Sequence, residues 1–266
     1  MVLSITSSSI ARAQSLVETS IIPFWDDREE TSRMRVNHSE WQNLLDTYLI
    51  DTHQSGINRF DYDRVTTGDK LKLQGYLEYL QNFEPRQLNS NEQKAFWLNL
   101  FNSMTIFIIL NENDDKLISI REIRSGFLTA GPWKLNSLKV VQQDLSLDNI
   151  ENGILRPILK DSRINYVIQH ASLGDANLQK TAFTGENIEG LLEQAAKDFI
   201  NSSRGVRIVG GNLFLSEIYR WYAIDFAEDF SGLVNHLRKY INPDMAAQLE
   251  RFTEAQYRYN WDLNRP

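Results

Sequence analysis

The sequence predicts an α+β fold, a mainly helical single domain with a buried central helix and a small antiparallel sheet, and three observations predict it. Wound at 100° per residue, the stretch Glu92–Leu110 (EQKAFWLNLFNSMTIFIIL) shows no broad polar face, the pattern of a helix buried on all sides. Apolar stripes of helical period recur before and after it. Strand-like alternation is confined to short runs, of which Ile164–His170 is the best strand.

In chain order, Met1–Ile10 is serine-rich without a basic residue, and Ala11-Arg12-Ala13 before Gln14 has the small-x-small form of a signal-peptidase site. Residues 1–20 are therefore expected to be a leader or disordered arm outside the fold. Export to the periplasm or beyond is the expectation, with a cytoplasmic location the alternative. No repeat or low-complexity linker follows, so residues 21–266 are expected to form one domain.

His38–Asp51 carries Trp41, Leu44, Leu45, Tyr48 and Leu49 at helical spacing. Gln54-Ser55-Gly56 breaks that helix, and Ile57–Tyr62 reads as a short extended piece. Leu73, Tyr76, Leu77 and Leu80 restore the helical period, which Pro85 ends. Ser90 and Gln93 are spaced as a capping box for the central helix. The continuous apolar run of that helix, Ile106–Leu110, is far too short to span a bilayer, so no transmembrane segment is expected.

Asn111–Lys116 is a polar turn and Ile118–Ile123 a short helical piece. Arg124–Ser137 has no period and reads as an irregular loop pinned by Phe127 and Trp133. Leu138–Gln142 suits a strand, after which Ser146 caps a helix carrying Leu147, Ile150, Glu151, Ile154, Leu155 and Ile158 on one side. The Ile164–His170 strand runs into a loop of small and polar residues, Ala171–Asn177. Ile188, Leu191, Leu192, Ala195, Ala196, Phe199 and Ile200 define an amphipathic helix. Val206–Val209 and Leu213–Leu215 flank Gly210-Gly211 as a hairpin. Ser216 caps a helix with Ile218, Trp221, Tyr222 and Phe226, two helices follow over Leu233–Tyr240 and Pro243–Phe252, and an aromatic tail, Tyr257–Leu263, closes the chain.

Composition narrows function by exclusion. With 28 basic against 35 acidic residues, a net charge of −7 and no dense Lys/Arg stripe, the chain lacks a nucleic-acid footprint. It has no cysteine, which excludes disulfides, thiol nucleophiles and cysteine-bound metals. No cofactor motif is present: the glycines of Gly205–Gly211 fit a hairpin, because no Gly-Lys-Ser/Thr follows.

The candidate chemistry gathers around the Ala171–Asn177 loop. His170 is the one histidine beside it, a candidate general base or a hydrogen-bonded structural group. Ser172 is a nucleophile candidate, although no Gly-x-Ser-x-Gly surrounds it. Glu151 shares an apolar stripe and needs a partner, for which Arg156 or a loop amide is expected. Glu151, His170 and Asp175 are donors of suitable type for a metal, but no His-x-x-x-His spacing supports one, and none is expected. Asn99 and Asn102 lie on an apolar side of the central helix and must find partners there. They are expected to brace a neighbouring loop, or else to line a ligand site.

Asn37-His38-Ser39-Glu40-Trp41, Ala95–Asn102, Leu145–Glu151 with Ile154-Leu155-Arg156, Asp161–Leu178 and Tyr259–Asn264 occur in an order that resembles the family called domain of unknown function 547. Many members of that family carry a histidine in the strand and a cysteine at its end, then a second cysteine before a proline. The matching positions here are Asn165, His170 and Asp175, with Ala176-Asn177 in place of the prolines. The resemblance thus implies a family scaffold whose usual thiol and histidine positions are substituted. Two functions follow as expectations: a non-catalytic binding or interaction domain for a small molecule, protein or peptide, or a hydrolase- or transferase-like enzyme using His170 as base with Ser172, Glu151 or bound water.

Overall fold

The protein is described by a computed structural model covering residues 16–112, 117–123 and 131–266. Helix α1 (Ser39–Tyr48) buries Trp41, Leu44, Leu45 and Tyr48 and runs into a two-residue ribbon, β1 (Leu49–Ile50) paired with β2 (Arg59–Phe60). Helix α2 (Thr67–Gln81) starts where Thr66 Oγ1 accepts the Asp69 amide at 3.1 Å, and it presents Leu73, Tyr76, Leu77 and Leu80 to the core.

Helix α3 (Ser90–Asn111) is the expected central helix and packs against α2 on one side. Its cap lies one residue earlier than the Ser90–Gln93 spacing predicts: Asn89 Oδ1 accepts the Glu92 amide at 3.1 Å. Gln93 instead donates to the carbonyls of Asp27 and Pro85, and Ser90 bonds Glu30. Glu92 is buried in the first turn of α3, where its two oxygens accept the amides of Val36 and Gly185 at 2.8 Å each. A carboxylate there also meets the positive end of the helix dipole. It ties the segment before α1 to the segment around Gly185.

The Leu138–Gln142 strand is one arm of a hairpin, β3 (Leu138–Val140) with β4 (Gln143–Leu145), turned at Val141 and Gln142, both of which have positive φ. Ser146 forms the expected cap, a reciprocal capping box with Asn149. The helix it starts is uniform in sequence but not in structure. Helix α4 (Leu147–Ile150) widens into a π turn over Glu151–Leu155 and tightens again as α5 (Arg156–Leu159).

Pro157 supplies a reason for the π turn, since proline in a helix lacks an amide and crowds the carbonyl four residues back. That carbonyl, of Gly153, is taken by the Ile22 amide at 2.9 Å, and the neighbouring Asn152 carbonyl by the Ser20 amide at 3.0 Å. A Cβ on Gly153 would stand 2.7 Å from Ile22 Cδ1, so only glycine lets the strap come this close. Ser20 and Val17, whose amide reaches the Trp221 carbonyl at 3.1 Å, therefore belong to the packed body, contrary to the expected arm. Residues 1–15, with the Ala11-Arg12-Ala13 signal, lie outside the described residues, as do most of the Asn111–Lys116 turn and the Phe127 part of the Arg124–Ser137 loop.

Ile164–His170 is not a strand. Asp161 caps a 3-10 turn over Ser162–Tyr166, and the chain then continues irregularly to His170. Alternation misleads here because both sides of the segment are buried and a side chain supplies its hydrogen bonds. Asn102 on α3 donates to the Val167 carbonyl at 2.9 Å and accepts the Gln169 amide at 3.0 Å, as a strand partner would.

Helix α6 (Ile188–Ile200) packs on α3. The predicted hairpin is β5 (Val206–Val209) with β6 (Asn212–Ser216), turned at Gly210-Gly211. Ser216 ends β6 and is not the cap; Glu217 stands at that position before α7 (Ile218–Trp221). At Tyr222 the backbone leaves helical geometry and resumes as α8 (Ala223–Phe226), followed by α9 (Phe230–Arg238) and α10 (Pro243–Leu249). The aromatic tail supplies β7 (Gln256–Arg258), which pairs parallel to β6. The fold is thus mainly helical α+β, but its strands form three small separate sheets among the described residues, one of mixed direction. No helix among the described residues is long and apolar enough to cross a membrane.

Candidate functional site: an imidazolium between two carboxylates under an aromatic cleft

The π turn presents Glu151 and the Ala171–Asn177 loop presents Asp175, with His170 between them. His170 Nε2 lies 3.1 Å from Glu151 Oε2, and Nδ1 lies 3.1 Å from Asp175 Oδ1. Only 10 % of the His170 side chain, 5 % of Glu151 and 4 % of Asp175 reach solvent. Ionised carboxylates only accept hydrogen bonds, so both ring nitrogens must donate and the ring is an imidazolium.

Burial by itself opposes that charge, but Glu151 and Asp175 together outweigh it and lift His170 to about 10. Burial likewise works to raise both carboxyls, and the His170 cation reverses this, holding Glu151 and Asp175 below their ordinary values. Rings of Phe101, Trp133 and Trp261 surround the imidazolium with centroids 5.8, 5.9 and 6.4 Å away. The other two buried histidines behave oppositely: without a carboxylate partner, His38 and His236 are pushed down by burial to about 4.

Asp175 organises the loop. Its Oδ2 accepts the amides of His170 (2.8 Å) and Ser172 (3.0 Å), and its Oδ1 accepts the Tyr259 hydroxyl at 2.5 Å. Ala171, held at φ 57 between those amides, is a non-glycine residue in left-handed geometry, a strain the Asp175 bonds help to maintain. Because Tyr259 spends its proton on Asp175, the Ser172 hydroxyl donates to the Tyr259 oxygen, 2.7 Å away. Ser172 is thereby directed to Tyr259, not to His170, and the expected pairing of the two does not form.

Arg156 is not the partner of Glu151. Its guanidinium forks onto Asp225 at 2.6 and 3.1 Å, donates to Asn152 Oδ1 at 2.6 Å and lies over the Tyr222 ring at 4.3 Å. Glu151 takes as its partner the side chain of His170, just before the loop, rather than a loop amide. Asn102 reaches the residues just before His170, as described above. Asn99 braces a different segment: it donates to the Phe183 carbonyl (2.7 Å) and accepts the Phe183 amide (3.1 Å).

Above Glu151 and His170 opens a cavity of about 390 Å³, walled by Trp133, Trp221, Tyr222 and Trp261, with Asp148 and Lys134 also in its lining. Two buried polar atoms of its lining residues have no hydrogen-bond partner among the described residues, Glu151 Oε1 and Trp133 Nε1. Tyr222 is close enough to help hold the Glu151 carboxyl down, yet Oε1 receives no hydrogen bond of proper geometry. Two residues of the cavity wall thus carry an unsatisfied polar atom, one an acceptor and one a donor. Trp133 is fixed by its own carbonyl, which accepts the Asp148 amide at 2.8 Å in the first turn of α4. Gly131, at φ +83, leaves room for the Trp133 ring where a Cβ would collide with it.

Sequence reasoning did not place Trp221, Tyr222, Tyr259, Trp261 or Asp225 at the site. Their aromatic character was visible, but the juxtaposition depends on β7 returning the tail alongside β6. No group of three or more potential ligands arranged to hold a metal occurs among the described residues.

Fold and site together define a mainly helical α+β domain with a buried carboxylate–imidazolium–carboxylate cluster beneath an aromatic cleft. Residues 85–200 match the family described as "Protein of unknown function, DUF547", and the chain is a DUF547 domain-containing protein. Ala95–Asn102, Glu151, His170 and Asp175 fall inside the matched segment, whereas Trp221, Tyr222, Tyr259 and Trp261 lie beyond it. No curated protein and no solved structure matched the chain.

Proposed function

We propose that this protein is a non-catalytic binding domain, and that its ligand is a small, partly apolar molecule presenting an ammonium or hydroxyl donor to Glu151. The observation that carries the reading is the unpartnered Oε1 of a carboxylate 95 % buried, in the lining of an aromatic-walled cavity. A buried acceptor left unsatisfied costs about 1–3 kcal/mol, more if charged, and a ligand that supplies the donor recovers that cost. Three tryptophans and a tyrosine provide flat apolar walls and attract a cation through their ring faces. With His170 positive and Glu151 and Asp175 negative, the cluster keeps a net charge of −1, which favours a donor or a cation over an anion.

The enzyme reading requires His170 to accept a proton. Both of its nitrogens face carboxylates, and near neutral pH it is already protonated, so a general base there is disfavoured. In place of the thiol of many family members, the chain has a charge cluster suited to holding a ligand, and we infer that the site has been turned from reaction to recognition.

Ligand-detected NMR with small amines, amino alcohols and monosaccharides tests this. Binding is expected in the wild type, to be lost in Trp221→Ala and to weaken about tenfold or more in Glu151→Gln, the cost of losing a charge-assisted bond. Ester or amide turnover abolished by His170→Gln, with the fold retained, would instead establish the hydrolase.

A further inference from the structure

A second cavity, of about 230 Å³, has Tyr259 in its wall and charged lining residues of one sign only. Arg204, Arg207 and Arg258 line it, together with Ser203, Asn260 and Phe214, and no carboxylate is among its described lining residues. The strand register explains the convergence. Arg207 pairs across β5–β6 with Phe214, which pairs across β6–β7 with Gln256, and Arg258 follows two residues later on the same face. Both guanidinium groups rest on the Phe214 ring, at 5.1 and 4.5 Å from its centre.

Arg204 approaches from the loop before β5. It is half-buried and donates to the Asp175 carbonyl and to Asn177 Oδ1 (2.9 Å), neutral acceptors that leave its charge unmatched. Burial lowers its proton affinity, as expected for a cation lacking a direct carboxylate partner, and the nearby Asp175 charge is engaged with His170. None of the three arginines makes an ion pair among the described residues, although the chain as a whole carries −7. Three like charges held together without a counter-charge repel one another, and a bound anion removes that repulsion.

We propose that this pocket is a binding site for a small phosphorylated molecule, with the forks of Arg207 and Arg258 on the phosphate and Arg204 behind them. Guanidinium forks match phosphate oxygens two at a time, and a dianion balances the site better than a single carboxylate. The cavity holds a phosphate ester or a diphosphate, and the acidic surface of the rest of the chain disfavours a long polyanion such as RNA. The site is independent of the aromatic cleft: its lining carries three arginines and no carboxylate, where that of the cleft sets Asp148 and Glu151 against Lys134 and His170, and the two share no lining residue.

Isothermal titration of the full chain with inorganic pyrophosphate at low ionic strength is the test. Saturable binding is expected, weakened about tenfold or more in each of Arg207→Ala and Arg258→Ala. It should be unchanged in Arg238→Ala, whose partner is Glu250. Both pocket arginines are exposed, so the variants should keep the wild-type thermal midpoint, and that measurement separates loss of the site from loss of the fold. Absence of saturable binding would overturn the proposal. So would equal weakening in Arg238→Ala, or association with phosphatidate vesicles without any response to pyrophosphate.

Discussion

Replacing His170 by leucine tests the central charge arrangement, because it removes the cation and leaves two carboxylates buried. Each N···O contact is 3.1 Å. At an effective dielectric constant of about 20, a unit-charge pair at that distance is worth about 5 kcal/mol. The desolvation cost of burying the imidazolium offsets several kcal/mol of the pair of contacts, and breaking a buried ion pair from one side costs about 3–5 kcal/mol. The expected loss for His170→Leu at pH 7 is therefore about 3–5 kcal/mol, a drop in midpoint of about 10 °C for a chain of this size.

The loss should also depend on pH. Without the imidazolium, burial raises Glu151 and Asp175, and they take up protons as the pH falls, so the penalty should shrink towards a packing cost of about 1.5 kcal/mol near pH 5. Urea denaturation followed by tryptophan fluorescence at pH 5 and pH 7 measures both values. A penalty under about 1 kcal/mol at pH 7, or one that does not change with pH, would refute the imidazolium assignment. Nitrogen NMR of the ring gives a second reading: both nitrogens should stay protonated well above pH 7, and a titration at the ordinary histidine value would be equally damaging.

Two further outcomes are expected. Asn102→Leu keeps the size of the side chain but strands the Val167 carbonyl and the Gln169 amide, and should cost about 2–4 kcal/mol; stability and loop chemical shifts that match wild type would show that Asn102 braces nothing. His38 and His236 have folded values of about 4 against 6.5 unfolded, so their contribution is present above pH 6.5 and is lost as the pH falls through 4. His170, raised to about 10, contributes fully below pH 6.5 and loses its contribution as the pH rises to 10, so the combined contribution of the three histidines is greatest near pH 6.5. His236→Gln should lower the acid-side slope by up to about 1.4 kcal/mol per pH unit, the effect of one proton. An unaltered slope in pH-dependent urea titrations would contradict that assignment.

Much of the helical architecture was legible in the chain. The all-round apolar pattern of Glu92–Leu110 marks a helix that only a protein interior can accommodate, and α3 is that helix. Stripes at helical spacing located α1, α2 and α6, and Ser146 announced its helix as an N-cap, since these signals depend on neighbours within one or two turns. Glu151 was visible as a carboxylate on an apolar stripe, and His170 as a histidine beside a polar loop.

What tertiary structure decided was every partner that comes from a distance. Ile164–His170 has the period of a strand, yet its hydrogen bonds go to Asn102, sixty-five residues from Val167, and no local pattern encodes that. Uniform apolar spacing over Leu147–Ile158 gave no sign of a π turn, which follows from Pro157 together with a strap from Ser20–Ile22 that covers the freed carbonyls. Arg156, an expected partner of Glu151, faces Asp225, while Glu151 and Asp175 clamp His170 from opposite sides. By itself the sequence determined which segments must be buried, because burial follows from periodic hydrophobicity. Only the folded chain decided which buried charges meet, because electrostatic pairing is set by separations in space that sequence distance does not constrain.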